Sequence, residues 1–312
     1  MAKSGQQLRL THKELVDHCE SFIVGLAGKA PETRGTYQRS LRKFLNWFPV
    51  DSRFHFQRRD VERYRRFLVE KEHLKEASVG TYLTALRRFC QYLIDIGVLA
   101  ENPASEVIGG RRPERHSRSH LTYEEVELLL DAIDASTLVG ARDLALIQLM
   151  LGCALSEREC RLADVGDIIR RGRPAIRVQG KGRTVKDETV PMPPIVLASI
   201  DEYLERRFAG ASGVIDPEAP LFVSLSNHGL GERMQARGMR EAINRRLVDS
   251  GVKRDRTRTL TAFSLRHTAG LMMVDSGASL EELMSRMRIA WRPTAQLYFR
   301  LRNRPWGPGG EQ

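Results

Sequence analysis

Groups able to hold a phosphate recur along this chain. Arg34, Arg39, Arg42 and Lys43 share one side of an early helical stretch, and Arg87 and Arg88 fall together on a later one. Arg240, Arg245 and Arg246 crowd a third. Between residues 103 and 120 come Arg111, Arg112, Arg115 and Arg118. A guanidinium presents a planar fork of N–H donors that matches two phosphate oxygens. Lys+Arg number 50 against 39 Asp+Glu, a formal charge of +11. Such an excess favours a polyanionic partner, either nucleic acid or an anionic membrane surface. No apolar run of about 18 residues exists to span a bilayer. The first residues lack the apolar core of a signal peptide. Nucleic acid and a cytoplasmic location are therefore expected. Cys19, Cys90, Cys153 and Cys160 show no CxxC spacing and are read as buried thiols; neither a metal nor a cofactor is implied.

The elements that must position these groups come from the apolar period. Residues 12–26 carry Leu15, Val16, Cys19, Phe22, Ile23 and Leu26 at helical spacing. Residues 32–48 place Tyr37, Leu41, Phe44, Leu45 and Phe48 on one face, and 59–72 and 78–96 repeat the pattern. Four such faces bury against one another as a small helical domain. Asn102-Pro103 stops the fourth helix. The basic stretch that follows reads either as a solvated connector or as a strap along a phosphate backbone. Thr122 with Glu125 forms a capping box that opens a second domain near Leu121. Its helix is expected to run to about residue 135, and 141–151 is apolar enough to be buried. Residues 175–180 and 187–192 alternate like strands around the hairpin tip Gly180-Lys181-Gly182-Arg183. Helices are expected over 194–207, 237–250, 265–274 and 280–287. Residues 221–225 read as a short strand, and the 237–250 helix is expected to turn Arg240, Arg245 and Arg246 outward. The result is a mainly α chain with a small β-hairpin, divided into 1–103, a basic linker over 104–120, and 121–312.

Four segments, in order, resemble the tyrosine recombinases of the phage-integrase type. Residues 33–47 (TRGTYQRSLRKFLNW) resemble a helix of the N-terminal core-binding, SAM-like domain. Residues 178–191 (VQGKGRTVKDETVP) resemble the hairpin that carries the family's lysine. Residues 260–269 (LTAFSLRHTA) resemble the second box, and 293–298 (PTAQLY) the tyrosine box. The resemblance implies a C-terminal α+β catalytic-type domain and a double-stranded DNA partner clamped by both domains. It implies a tyrosine that attacks a DNA phosphate to form a 3′-phosphotyrosyl link. Two arginines and histidine-type groups then meet the charge on the non-bridging oxygens, with no metal, and the hairpin lysine protonates the leaving 5′ oxygen. On that pattern Tyr298 is the nucleophile, Arg266 the second arginine, His267 its neighbour and Lys181 the lysine.

Three positions depart from the pattern. The first arginine should sit in a segment like T-G-L-R-x-x-E, and here Ser156 takes its place, with Glu159 as the acidic residue; a frame shifted by two puts Ala154 there with Glu157 after it, and neither frame supplies an arginine. Arg158 is two residues away, which on a helix is a turn of about 200°. The histidine of H-x-x-R falls on Phe263, and the histidine or tryptophan nine residues before the tyrosine falls on Ile289. Phe263 and Ile289 are expected to fill a site that has partly closed. Loss of one preorganised donor commonly costs about 10²–10³ in rate. The implied function is duplex-DNA binding in recombination or integration with cleavage lost or severely impaired, as an accessory to an active recombinase. Two alternatives stay open: an active recombinase with a rearranged site using Arg158 or Arg161, and a protein-interaction module on the same fold. Assembly into an oligomer on DNA is compatible with each. The prolines and glycines after Tyr298 argue against a C-terminal helix passed to a neighbouring subunit. The DNA contacts expected are Arg39, Arg42, Lys43, Arg87, Arg88, Arg111, Arg112, Arg240, Arg245 and Arg246.

Overall fold

A computed structural model describes residues 10–48, 55–110, 119–180, 182–211, 213–227, 229–254 and 259–302. The chain divides into two compact units, Met1–Glu114 and Arg115–Gln312. Lys181, Arg111 and Arg112 lie outside the described residues, as does the tail from residue 303 that bears on subunit exchange.

Unit 1 holds four helices, α1 (His12–Gly25), α2 (Pro31–Trp47), α3 (Arg58–Glu70) and α4 (Glu76–Asp95). Thr11 opens α1 through a reciprocal cap with Glu14, and Pro31 opens α2 where no N–H is needed. The apolar faces meet in an aromatic-rich core: Tyr64 is fully buried, with its ring 5.2 Å from Phe44 and 5.0 Å from Trp47. Ala104 and Val107 are buried in this same core. Residues 104–107, assigned to the linker on composition, therefore pack on the first unit.

Unit 2 holds α5 (Tyr123–Asp131), α6 (Leu138–Gly152), α7 (Glu157–Leu162), α8 (Pro194–Arg207), α9 (Ala236–Asp249), α10 (Ala262–Asp275), α11 (Leu280–Arg286) and α12 (Arg292–Arg302). Its antiparallel sheet runs β1-β2-β3, with β1 (Ile168–Ile169), β2 (Ala175–Val178) and β3 (Glu188–Pro191). Thr122 and Glu125 cap α5 reciprocally, as their spacing requires (3.2 and 2.9 Å). Two-residue β1 is too short to show a period and is legible only as the partner of β2. Residues 221–225 do not form the expected strand. The chain turns back after Val223, so the segment makes an isolated bridge, Val223 with Arg233. Helix α5 stops at Asp131, short of residue 135, and Thr137 caps the start of α6, three residues before the expected 141. Around Tyr298 the chain forms a full helix, α12, which tolerates Pro293 in its first turn.

The core of unit 2 lies around α6, whose Ala145, Leu146, Ile147, Leu149 and Met150 are fully buried. A smaller apolar cluster joins Ala154 to α10, α11 and α12 through Ala269, Leu283, Met287, Ala295 and Tyr298. The segment leaving α6 is thereby held against the tyrosine helix. All four cysteines are free and buried. Burial pushes the Cys19 thiol up to about 11 and the Cys90 and Cys153 thiols up to about 12, as inert core thiols require. Among the described residues no helix is long and apolar enough to cross a membrane.

Candidate active site

Ser156 is not inside a helix. It is the N-cap of α7, where its Oγ accepts from the Glu159 N–H at 3.3 Å and Glu159 Oε2 accepts from the Ser156 N–H at 2.6 Å. A residue in the arginine position has become a helix cap, a local task that serine suits. The capping box also fixes Glu159. That carboxylate is buried and lies at the junction of three segments.

Two guanidiniums share it. From α10, Arg266 Nη1 donates to Glu159 Oε2 at 2.7 Å, and its Nη2 donates to the Met287 carbonyl. From the turn after α11, Arg288 Nε donates to Glu159 Oε1 at 2.5 Å and Nη2 to Oε2 at 3.0 Å. Burial raises the Glu159 carboxyl. The hydrogen bond and charge of Arg288 and the charge of Arg266 outweigh it, holding the group below the usual carboxylate range. Burial also lowers Arg266 from its usual value, opposed by Glu159 and reinforced by the charge of Arg288. Sequence reasoning placed Arg266 and Glu159 here and missed Arg288. The signal for Arg288 is conformational: its φ is +52°, where a residue with a Cβ is uncommon.

Tyr298 packs on the same helix as Arg266. Its side chain is 2% exposed, and its ring lies 5.0 Å from that of His267 in an edge-on contact. Gly270 makes room: a Cβ there would stand 2.5 Å from Tyr298 Cε1. Burial pushes the phenol up to about 12, against the pull of Arg266. His267 is fully buried, and its ring meets that of His120 at 5.8 Å. His120 lies far away in sequence and outside every motif, so only folding brings it to this group.

The other expected positions separate. Ile289 is partly buried against the cluster that holds Tyr298. Phe263 does not fill the site: it is 39% exposed, because position 263 falls on the solvent side of the first turn of α10. Arg158 turns to the loop after β2, donating from Nη1 to the carbonyls of Gln179 (3.2 Å) and Gly180 (3.3 Å). It braces the segment that leads to Lys181. The β2–β3 connection runs from Val178 to Glu188, longer than the tight tip expected. Lys186 in it is tied to Asp164 and Asp167.

Comparison with known proteins fits this geometry. Residues 119–303 match the model of the Phage integrase family, and residues 21–97 match the Phage integrase N-terminal SAM-like domain. The chain belongs to the phage integrase family of tyrosine recombinases. It is 28% identical over 273 residues to Tyrosine recombinase XerC of Pelobacter propionicus, covering 86% of this chain and 84% of that protein. It is 33% identical over 236 residues to Tyrosine recombinase XerC of Vibrio vulnificus, covering 74% and 68%. Among solved structures, the fold is similar to the XerH site-specific recombinase bound to a palindromic difH substrate, a post-cleavage complex. That match has a TM-score of 0.70 at 18% identity over 95% of this chain and 82% of the other.

In this recombinase-family protein the expected DNA contacts sort by what their charges already do. Arg39 and Arg42 are exposed on α2 and, with Lys43, line a groove of about 420 Å³ beside Trp47, Phe67 and Tyr82. Lys43 is paired with Glu72 on the same groove. Arg88 and Arg245 are exposed. Arg240 is exposed and pairs with Glu157 at 2.6 Å. Two arginines serve structure instead. Arg87 spends its guanidinium on the carbonyls of Ala104 and Val107, both at 3.0 Å, tying down the end of unit 1. Arg246 does not point outward: it is largely buried, with Nε 2.9 Å from Asp143, whose other oxygen holds Arg142 at 2.6 Å. Helical spacing alone assigned it to the solvent side, and a buried carboxylate on α6 captured it.

Proposed function

We propose that this protein binds double-stranded DNA in the cytoplasm and takes part in strand exchange, with Tyr298 as a slow nucleophile. The observation that carries the reading is the grouping of Tyr298, His267 and Arg266 around α10, with Arg266 anchored on buried Glu159. In the reaction the Tyr298 Oη bonds to phosphorus as the bond from phosphorus to the 5′ oxygen breaks. The phenol proton passes to solvent water, and the leaving 5′ oxygen takes up a proton for which Lys181 is the candidate donor. Arg266 meets the charge that grows on a non-bridging oxygen.

Two features keep the rate low. Tyr298 is buried, so attack requires it to leave its packed position, and the same burial pushes its phenol up to about 12, further from the ionised nucleophile. Phe263 and Ile289 offer no donor where the family has one, each loss being of the kind that costs about 10²–10³, though such losses do not simply multiply. These two positions also support a second reading, an accessory subunit that holds DNA for an active partner recombinase. A nicked duplex that traps the covalent intermediate, cut from a sequence selected by this protein, separates the two. A denaturation-resistant complex lost in Tyr298→Phe supports the nucleophile. Its absence in the wild type, with salt-dependent duplex binding intact, sinks cleavage and leaves the accessory role.

A further inference from the structure

We propose that Arg288 supplies the second guanidinium of the phosphate site, in place of the family arginine whose position is filled by Ser156. The inference deepens the reading of this site as a phosphate-binding one. Arg288 reaches the site from the turn after α11, yet its head lies beside the segment that carries Ser156. Its Nη2 donates to the Ala154 carbonyl at 3.1 Å, two residues before Ser156. Its Nε and Nη2 meet the carboxylate that Arg266 also meets. An arginine has moved in sequence, and folding returns its guanidinium to the neighbourhood of the other.

Charge argues that this is a ligand site and not a strut. One carboxylate stands between two guanidiniums, leaving one positive charge in excess. The side chains of Arg266 and Arg288 are only 12% and 6% exposed. An uncompensated buried charge is costly, and an anion bound beside it would relieve that cost. A phosphodiester carries one negative charge and gathers more in the transition state, which two forks suit. Arg288 holds Glu159 Oε1, but Arg266 already neutralises that carboxylate, so the second guanidinium brings a charge the pair does not cancel. Arg288 also keeps a backbone φ of +52° that glycine would adopt freely. Strain retained at such a position is often associated with function. The contacts of Arg288 among the described residues use Nε–H, both Nη2 hydrogens and one on Nη1, the last to the Arg286 carbonyl at 2.5 Å. The fifth N–H, on Nη1, is the one available to a phosphate oxygen.

The test uses the full chain, a duplex selected from a random pool, and its nicked trapping form. Each is made with a normal phosphodiester or with a neutral methylphosphonate at the attacked link. On the phosphodiester, Arg288→Gly is expected to slow covalent-complex formation by about 10²-fold or more, the usual cost of one such donor. Arg288→Lys recovers part of the rate. Ser156→Arg combined with Arg288→Gly restores it to within about tenfold, because the charge returns from the other segment. On the methylphosphonate the Arg288→Gly deficit largely disappears, since no charge remains to neutralise. An unchanged rate in Arg288→Gly overturns the proposal. So does an equal deficit on both substrates, which is what a strut for Glu159 would give. Melting curves confirm that each variant folds, and the Lys and double variants keep the test valid if Arg288→Gly does not. If the wild type forms no covalent complex, the cleavage reading fails while this one is still decided by binding. A single methylphosphonate is then walked along the duplex to find the phosphate whose charge the wild type senses. Arg288→Gly should lose about tenfold in affinity for the normal duplex and nothing further at that position, and independent losses overturn the proposal.

Discussion

Glu159→Gln removes a negative charge from between two guanidiniums while keeping the side chain's size and one acceptor oxygen. The native carboxylate accepts from Arg266 Nη1 at 2.7 Å, from Arg288 at 2.5 and 3.0 Å, and from the Ser156 N–H at 2.6 Å. The amide nitrogen cannot accept, so one edge of the site becomes donor against donor. The excess charge of the cluster rises from one to two. Breaking a buried pair by removing one partner costs about 3–5 kcal/mol, mostly from the charge left behind. For a unit the size of Arg115–Gln312, each kcal/mol moves the midpoint by about 2–4 °C, so a fall of about 6–20 °C follows. The assay is thermal unfolding of the full chain followed by circular dichroism, with wild type run alongside. A fall below about 2 °C in a folded variant would refute the reasoning, because the cluster would not then be electrostatically coupled. The pH dependence gives a second check. The folded Glu159 carboxyl lies below its ordinary value of 4.5, so its stabilisation is complete above that pH and is lost as pH falls through the folded value. The gap between wild type and Glu159→Gln should begin to narrow below about pH 4.5 and close only below the folded value.

Gly270→Ala places a Cβ 2.5 Å from Tyr298 Cε1 and 2.6 Å from Met287 Sδ, so the tyrosine must shift. A loss of about 1–3 kcal/mol by thermal melting is expected, together with loss of the covalent complex at unchanged DNA affinity; normal trapping would contradict the packing argument. Replacing Arg39, Arg42 and Lys43 together by alanine should reduce the slope of log K against log salt by about 2–3, at roughly 0.9 per phosphate contact. An unchanged slope would remove the α2 groove from the DNA interface.

Much of the scaffold was legible because its signals are local. The 3.6-residue period delivered the four helices of unit 1, and Thr122 with Glu125 marked the start of α5. The boundaries that slipped had a neighbour outside the window that was read: β1 exists only as a partner for β2, and α6 begins early because Thr137 caps it. The order of the family boxes was legible for the same reason, each being a short run of fixed spacing. What Phe263 does was not, since apolar character alone cannot distinguish a buried filling from a side chain on the solvent face of α10.

The site divides along the same line. The sequence by itself determined the tyrosine, the second arginine with its histidine, and the absence of the first arginine at Ser156. Those are statements about residue identity at fixed spacing. Only the tertiary structure decided where charges meet. A guanidinium is legible as a charge, but its partner is not: Arg246 turned inward to Asp143, Arg87 to the carbonyls of the closing segment, and Arg288 across 129 residues to Glu159. Electrostatic pairing acts through space and is indifferent to chain distance, so a replacement for a missing arginine can come from anywhere the fold brings near.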